Sequence, residues 1–262
     1  YLSEDRAELP APEAAPVPLY WYRPPQTLKG TAGMHRFTWD MHYQPLAGGG
    51  RGGLPMAAIG HDTAPAPNSI WVAPGQYVVK LTMGSHSVTQ PITVKMDPRV
   101  KTTAEGLARQ FELSKAMYDS VLEARAAAQA LRAIRSQVKK IQEKVEAGQS
   151  SLSQALTDFD KKSGALEGQA GGTGRGGGMG GPMGPPAGGT DTLAAIGGSL
   201  GQLMSLLQAA DVAPTSQVVA AVAERRQAFR ALMEKWTSLK TQNLAALNSM
   251  LKAAGLPEIS LQ

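Results

Sequence analysis

Between Thr102 and Glu146 the chain contains no proline, and its apolar residues recur every three or four positions. Leu107, Phe111, Tyr118, Val121, Leu131, Ile134, Val138, Ile141 and Val145 trace one stripe, with a slip near Ala128. Proline would remove a backbone donor and break such a run, so its absence matters as much as the spacing. A stripe this long predicts one long helix with a coiled-coil-like seam that other helices must cover. Thr102 or Thr103 can cap it, with Glu105 or Gly106 in the first turn, and Gly148 is a natural stop.

The following sequence supplies the covering helices. Ser150 or Ser151 opens a second helix with Leu152, Leu156, Phe159 and Leu166 on one face. Residues 168–189 are glycine with proline and methionine, a low-complexity linker. Asp191 is the expected cap of a third helix carrying Leu193, Ile196, Leu200, Leu203, Leu206 and Leu207. Ala213-Pro214-Thr215 marks a break and a new cap. The fourth helix presents Val218, Val222, Phe229, Leu232, Trp236, Leu239, Leu247 and Met250, and ends at Gly255 and Pro257. Residues 101–262 therefore read as an elongated antiparallel helical bundle, with the long first and fourth helices expected to run antiparallel. Each large aliphatic side chain buried there contributes roughly 1.5–3 kcal/mol, so no ligand is needed to hold it.

The chain before the first helix is different. Residues 1–30 carry six prolines and read as an extended proline-rich arm, whose apolar run Leu19-Tyr20-Trp21-Tyr22 is expected to dock on another surface. Residues 31–100 carry strand signals. His35 to Met41 alternates, with Phe37, Trp39 and Met41 on one side. Tyr77, Val79, Leu81 and Met83 alternate in the segment from Pro74; Gly84-Ser85 is a turn, and Val88 to Met96 returns. Two strands seldom stand alone, so a sheet of several is expected.

No residue set in the sequence performs recognisable chemistry. There is no cysteine, which excludes disulfides, thiolate metal sites and thiol nucleophiles. The net charge of +5 comes from interleaved acids and bases and is no nucleic-acid footprint. Arg51 and Arg175 lack the neighbouring aromatic rings that single-strand binders use. Gly197-Gly198-Ser199-Leu200-Gly201 matches the elbow of serine hydrolases, but it lies in a helical stretch, and every histidine precedes it. Small residues that let two helices approach explain it better. Gly172 to Gly177 fits a dinucleotide fingerprint without the strand and helix that the chemistry needs. Asp40 and His42, with His35 near in sequence, fall short of a metal-ligand set. Ser136 and Lys139 have the spacing of penicillin-interactive enzymes but sit on a basic helix face. No cofactor or metal is expected, nor a membrane-spanning segment. The start at Tyr1 reads as a mature fragment or the ordered part of a longer chain.

Three stretches carry a family resemblance: Tyr20-Trp21-Tyr22-Arg23-Pro24-Pro25, Gly33 to Asp40, and Pro74 to Thr82. Thr89 to Arg99 and the closing Leu251 to Pro257 fit the same pattern. Together they resemble the C-terminal region of bacterial exported sortilin-like or BNR-repeat proteins, often labelled glycosyl-hydrolase-like. That family's β-propeller is missing, since no Asp-box repeat occurs. The resemblance implies an α+β chain: a small Ig-like antiparallel β-sandwich, then helices, in a periplasmic or extracellular location. The function expected is a non-catalytic interaction or scaffold module. Its partners would be other envelope proteins, for example the subunits of a photosynthetic or respiratory membrane complex. The candidate partner-binding residues are Tyr20, Trp21, Tyr22, Arg175, Met179 and Met183. The alternative is an accessory domain of an exported propeller enzyme acting on glycosides or peptides.

Overall fold

The computed structural model describes residues 1–5, 13, 18, 27–46, 69–145, 150–168 and 191–260. The chain is α+β and divides into two compact units, Tyr1–Lys101 and Thr102–Gln262.

In the first unit the strands β1 (Gly75–Met83) and β2 (His86–Val94) form an antiparallel hairpin. Gly84 opens its two-residue turn at φ 58°, a left-handed conformation that a glycine adopts without strain. Among the described residues this is the one sheet, with two strands. The strand expected over His35–Met41 does not form. Phe37 and Trp39 are half-buried between exposed neighbours, as the alternation demands, but Met41 turns the chain at φ 60°. What remains of pairing there is a single bridge, His42 with Trp71, flanked by Tyr43 N–H to Ile70 O at 2.9 Å and Val72 N–H to Met41 O at 2.8 Å. Ile70 and Leu46 are the buried apolar residues of this corner.

The second unit is helical: α1 (Ala104–Gln142), α2 (Ser150–Glu167), α3 (Leu193–Leu207), α4 (Ser216–Ser238) and α5 (Ala245–Ala253). Thr103 caps α1 through the Gly106 N–H, and Thr215 caps α4 through Val218. The cap of α3 is Thr192, whose hydroxyl accepts from the Ala195 N–H; the expected cap, Asp191, lies one residue earlier and pairs with Arg225. The stripe of α1 is buried as its spacing requires, from Tyr118 through Ile141, and Ala124, Ala127 and Ala128 fill the slip with small side chains.

A π-helical turn, Leu239–Leu244, joins α4 to α5. Its cause is legible in the apolar spacing. Trp236 and Leu239 are buried, and the next buried residue, Leu244, comes five positions later. Five residues of α-helix would turn Leu244 well off the core face, whereas the wider π turn returns it there. Leu247 and Leu251 continue the stripe, and Met250, expected inside, is partly exposed.

The helix directions also differ from expectation. Arg135 on α1 binds Asp160 and Glu167 on α2, and Arg132 binds Glu167, so α2 runs against α1. Gly197 lies against Ala124, and Gln208 donates to Ser114, so α3 also runs against α1. At the start of α1, Thr102 bonds the Asp211 carbonyl, and a Cβ on Gly106 would meet Ala213 at 3.0 Å; near its end Gln137 bonds Ser260. Helices α1 and α4–α5 are therefore parallel, not antiparallel. With α2 and α3 pointing the same way, the chain goes up, down and up, and the first and last legs share a direction.

Candidate interaction surface

The hairpin has two chemically distinct faces. Register places Tyr77 opposite Ile92, Val79 opposite Gln90, Leu81 opposite Val88 and Met83 opposite His86. Side chains alternate along a strand, so these residues share one face. The other face holds Gln76, Val78, Lys80 and Thr82 against Thr93, Pro91, Thr89 and Ser87. That polar face is tied by Thr93 to Gln76 at 2.9 Å and Thr82 to Ser87 at 2.9 Å.

The apolar face is open. Leu81 is 53% exposed, Val88 65% and Met83 76%. Its near end is partly covered: the Trp39 ring meets Tyr77 edge-on at 5.9 Å, and the Tyr77 hydroxyl donates to the Ala73 carbonyl at 2.6 Å. Burial raises the Tyr77 pKa above its usual value, with Tyr43 adding to the shift. Large exposed apolar patches mark surfaces that a protein, a membrane or a ligand can cover. The edges differ as well. In a two-residue hairpin the pair nearest the turn exchanges both backbone bonds, and bonded pairs then alternate. Pro91, opposite Val78, thus sits where its missing N–H would point outward, so β2 offers a poorer outer edge than β1.

The residues singled out for chemistry are dispersed. The His42 ring stacks on Trp71 at 3.6 Å and its Nδ1 lies 2.9 Å from the Asp40 carbonyl, while the Asp40 carboxylate accepts from the His42 N–H at 3.1 Å. His35 instead engages Thr31, at 2.7 Å to its carbonyl. Among the described residues no group of three or more histidines and carboxylates converges on one point. The Ser199 hydroxyl donates to the Ile196 carbonyl at 3.1 Å, inside α3. No strand leads into it, so the hydrolase elbow is not formed. The close helix approach expected at this motif is not seen: a Cβ on Gly197 would meet Ala124 at an ordinary 3.9 Å, and Gly198 and Gly201 face open space. Ser136 and Lys139 are exposed on α1.

Tyr20, Trp21, Tyr22, Arg175, Met179 and Met183 all lie outside the described residues, as does the Gly172–Gly177 motif. The hairpin face was readable as alternation; its exposure was not, because alternation says which residues share a face and not what covers it.

In the helical unit an open groove of about 770 Å³ is lined by Arg135, Lys162, Asp191, Thr192, Lys235 and Asn243, among others. Two of its charges are held by ion pairs: Arg135 to Asp160 and Glu167, and Asp191 to Arg225 at 3.4 Å. The Asp160 hydrogen bond, helped by Glu167, raises the Arg135 pKa further above its ordinary value. The buried Ser163 hydroxyl has no hydrogen-bond partner among the described residues. No described helix is long and apolar enough to cross a membrane. Comparisons with known protein families, with characterised proteins and with solved structures find no match to this chain.

Proposed function

We propose that this chain is a non-catalytic interaction or scaffold module of the bacterial cell envelope, working in the periplasm or outside the cell. The observation that carries this reading is the bare apolar face of the hairpin, centred on Leu81 and Val88. A two-stranded sheet is marginal in water by itself. Covering Val79, Leu81, Met83, Val88 and Ile92 with protein would bury a contiguous apolar strip and stabilise the hairpin at the same time. In its concrete form the chain is an accessory subunit that docks on a large membrane-bound complex, with Tyr20, Trp21, Tyr22, Arg175, Met179 and Met183 as further contacts.

The same face suits a second reading, in which the hairpin belongs to an Ig-like sandwich and strands of further polypeptide cover it. That arrangement is the accessory domain of an exported propeller enzyme.

A photo-reactive amino acid at Leu81 in the source cell separates these readings. Cross-linking to a different polypeptide in fixed stoichiometry supports the interaction module. Capture within one polypeptide much longer than this chain supports the accessory domain. No cross-link, together with a monomer whose hairpin amides are protected from exchange, sinks both. The double substitution Leu81→Lys, Val88→Lys is expected to abolish co-purification of the partner while leaving the melting of the helical unit unchanged.

A further inference from the structure

Helices α2 and α3 both run against α1. From Arg132 back to Ala124 is eight residues of α1, about 12 Å of helix. Over the same span the opposing leg advances 30 residues, from Glu167, bound to Arg132, to Gly197, which lies against Ala124. In two antiparallel helices the residue numbers of facing positions advance one for one. Eight of the 30 are thereby matched and 22 are surplus; counted from Arg135, which also binds Glu167, 11 are matched and 19 are surplus. The stretch 169–190, between Gly168 and Asp191, is 22 residues long.

The two ends of that stretch meet. A Cβ on Gly168 would overlap the side chain of Thr192, the residue that caps α3. Gly168 itself has φ 72°, the left-handed conformation that ends α2. Beyond the junction the one-for-one register persists: Gln208 reaches Ser114, and Gln110 reaches the carbonyls of Leu207 and Ala210.

We infer that α2 and α3 are the two halves of one leg of a three-legged helical unit, and that residues 169–190 are an in-register insertion into that leg. Each half has contacts to α1 of its own among the described residues. Arg135, Asp160 and Glu167 hold the half before the junction to α1; Leu193, Ile196, Leu200 and Met204 hold the half after it.

The test is excision. A full-length variant lacking 169–190, with Gly168 joined directly to Asp191, is compared with one bridged by four glycines and with one in which the 22 residues are duplicated. Loop length enters the closure entropy only logarithmically, so all three are expected to keep the parent's helical circular dichroism and to melt within about 4 °C of it. A direct join that unfolds while the glycine-bridged form melts like the parent rejects the in-register claim. Unfolding of both shortened forms rejects the insertion altogether. Loss of the Arg135–Asp160 coupling in a folded excised form would show that the leg re-registers, and would overturn the inference too.

Discussion

Removing Arg135 should measure how firmly α2 is held to α1. Its guanidinium spans two carboxylates, with Nε 2.7 Å from Asp160 and the other arm 2.6 Å from Glu167. Arg135 is 27% exposed and Glu167 11%, so the site lies between the surface and the interior. Exposed pairs contribute about 0.2–1 kcal/mol, and breaking a fully buried pair costs about 3–5 kcal/mol. Glu167 would keep Arg132 at 3.0 Å, whereas Asp160 would lose its ion-pair partner. Arg135→Ala should therefore cost about 2 kcal/mol. For a helical unit of this size that corresponds to a melting temperature about 4–8 °C lower. Urea denaturation followed by circular dichroism gives the free energy. A double-mutant cycle with Asp160→Ala isolates the pair and should return a coupling of about 1 kcal/mol. Arg135→Lys should not restore stability, because an ammonium cannot fork onto two carboxylates. A coupling indistinguishable from zero, or a loss below about 0.5 kcal/mol, would refute the view that this clamp fixes α2.

Gln110→Ala should destabilise the helical unit by about 1–3 kcal/mol in the same denaturation assay, since its amide supplies a donor to the carbonyls of Leu207 and Ala210 at the end of α3. Asp97 accepts from the Arg99 side chain and backbone, which lowers its pKa below the usual carboxylate value. An NMR titration should place the Asp97 midpoint low, and Arg99→Ala should raise it. Because the folded-state pKa is the depressed one, whatever this contact adds to stability is present above the unfolded pKa and fades as pH falls through the folded value.

Individual elements were legible where local chemistry decides them. The stripe from Tyr118 to Ile141 dictated α1, and Thr103 and Thr215 announced their helices. Gly84-Ser85 between alternating segments dictated the hairpin. His35–Met41 misled because alternation records burial on one side and not the presence of a strand to pair with. For the interaction surface, the sequence named Tyr77, Val79, Leu81 and Met83 as one row, but their openness depends on what does not pack there.

Direction and register belong to the tertiary structure. An apolar stripe is symmetric with respect to the direction of its partner, so the spacing in α1 and α4 could not say that they run parallel. That followed from Thr102 reaching Asp211 at the start of α1 and Gln137 reaching Ser260 near its end. The five-residue step from Leu239 to Leu244 was present in the sequence, but only burial of both against the other helices turned it into a π turn. Hydrophobic periodicity acts over a few residues and specifies which face must be buried; which surface buries it is settled by packing between residues far apart in the chain.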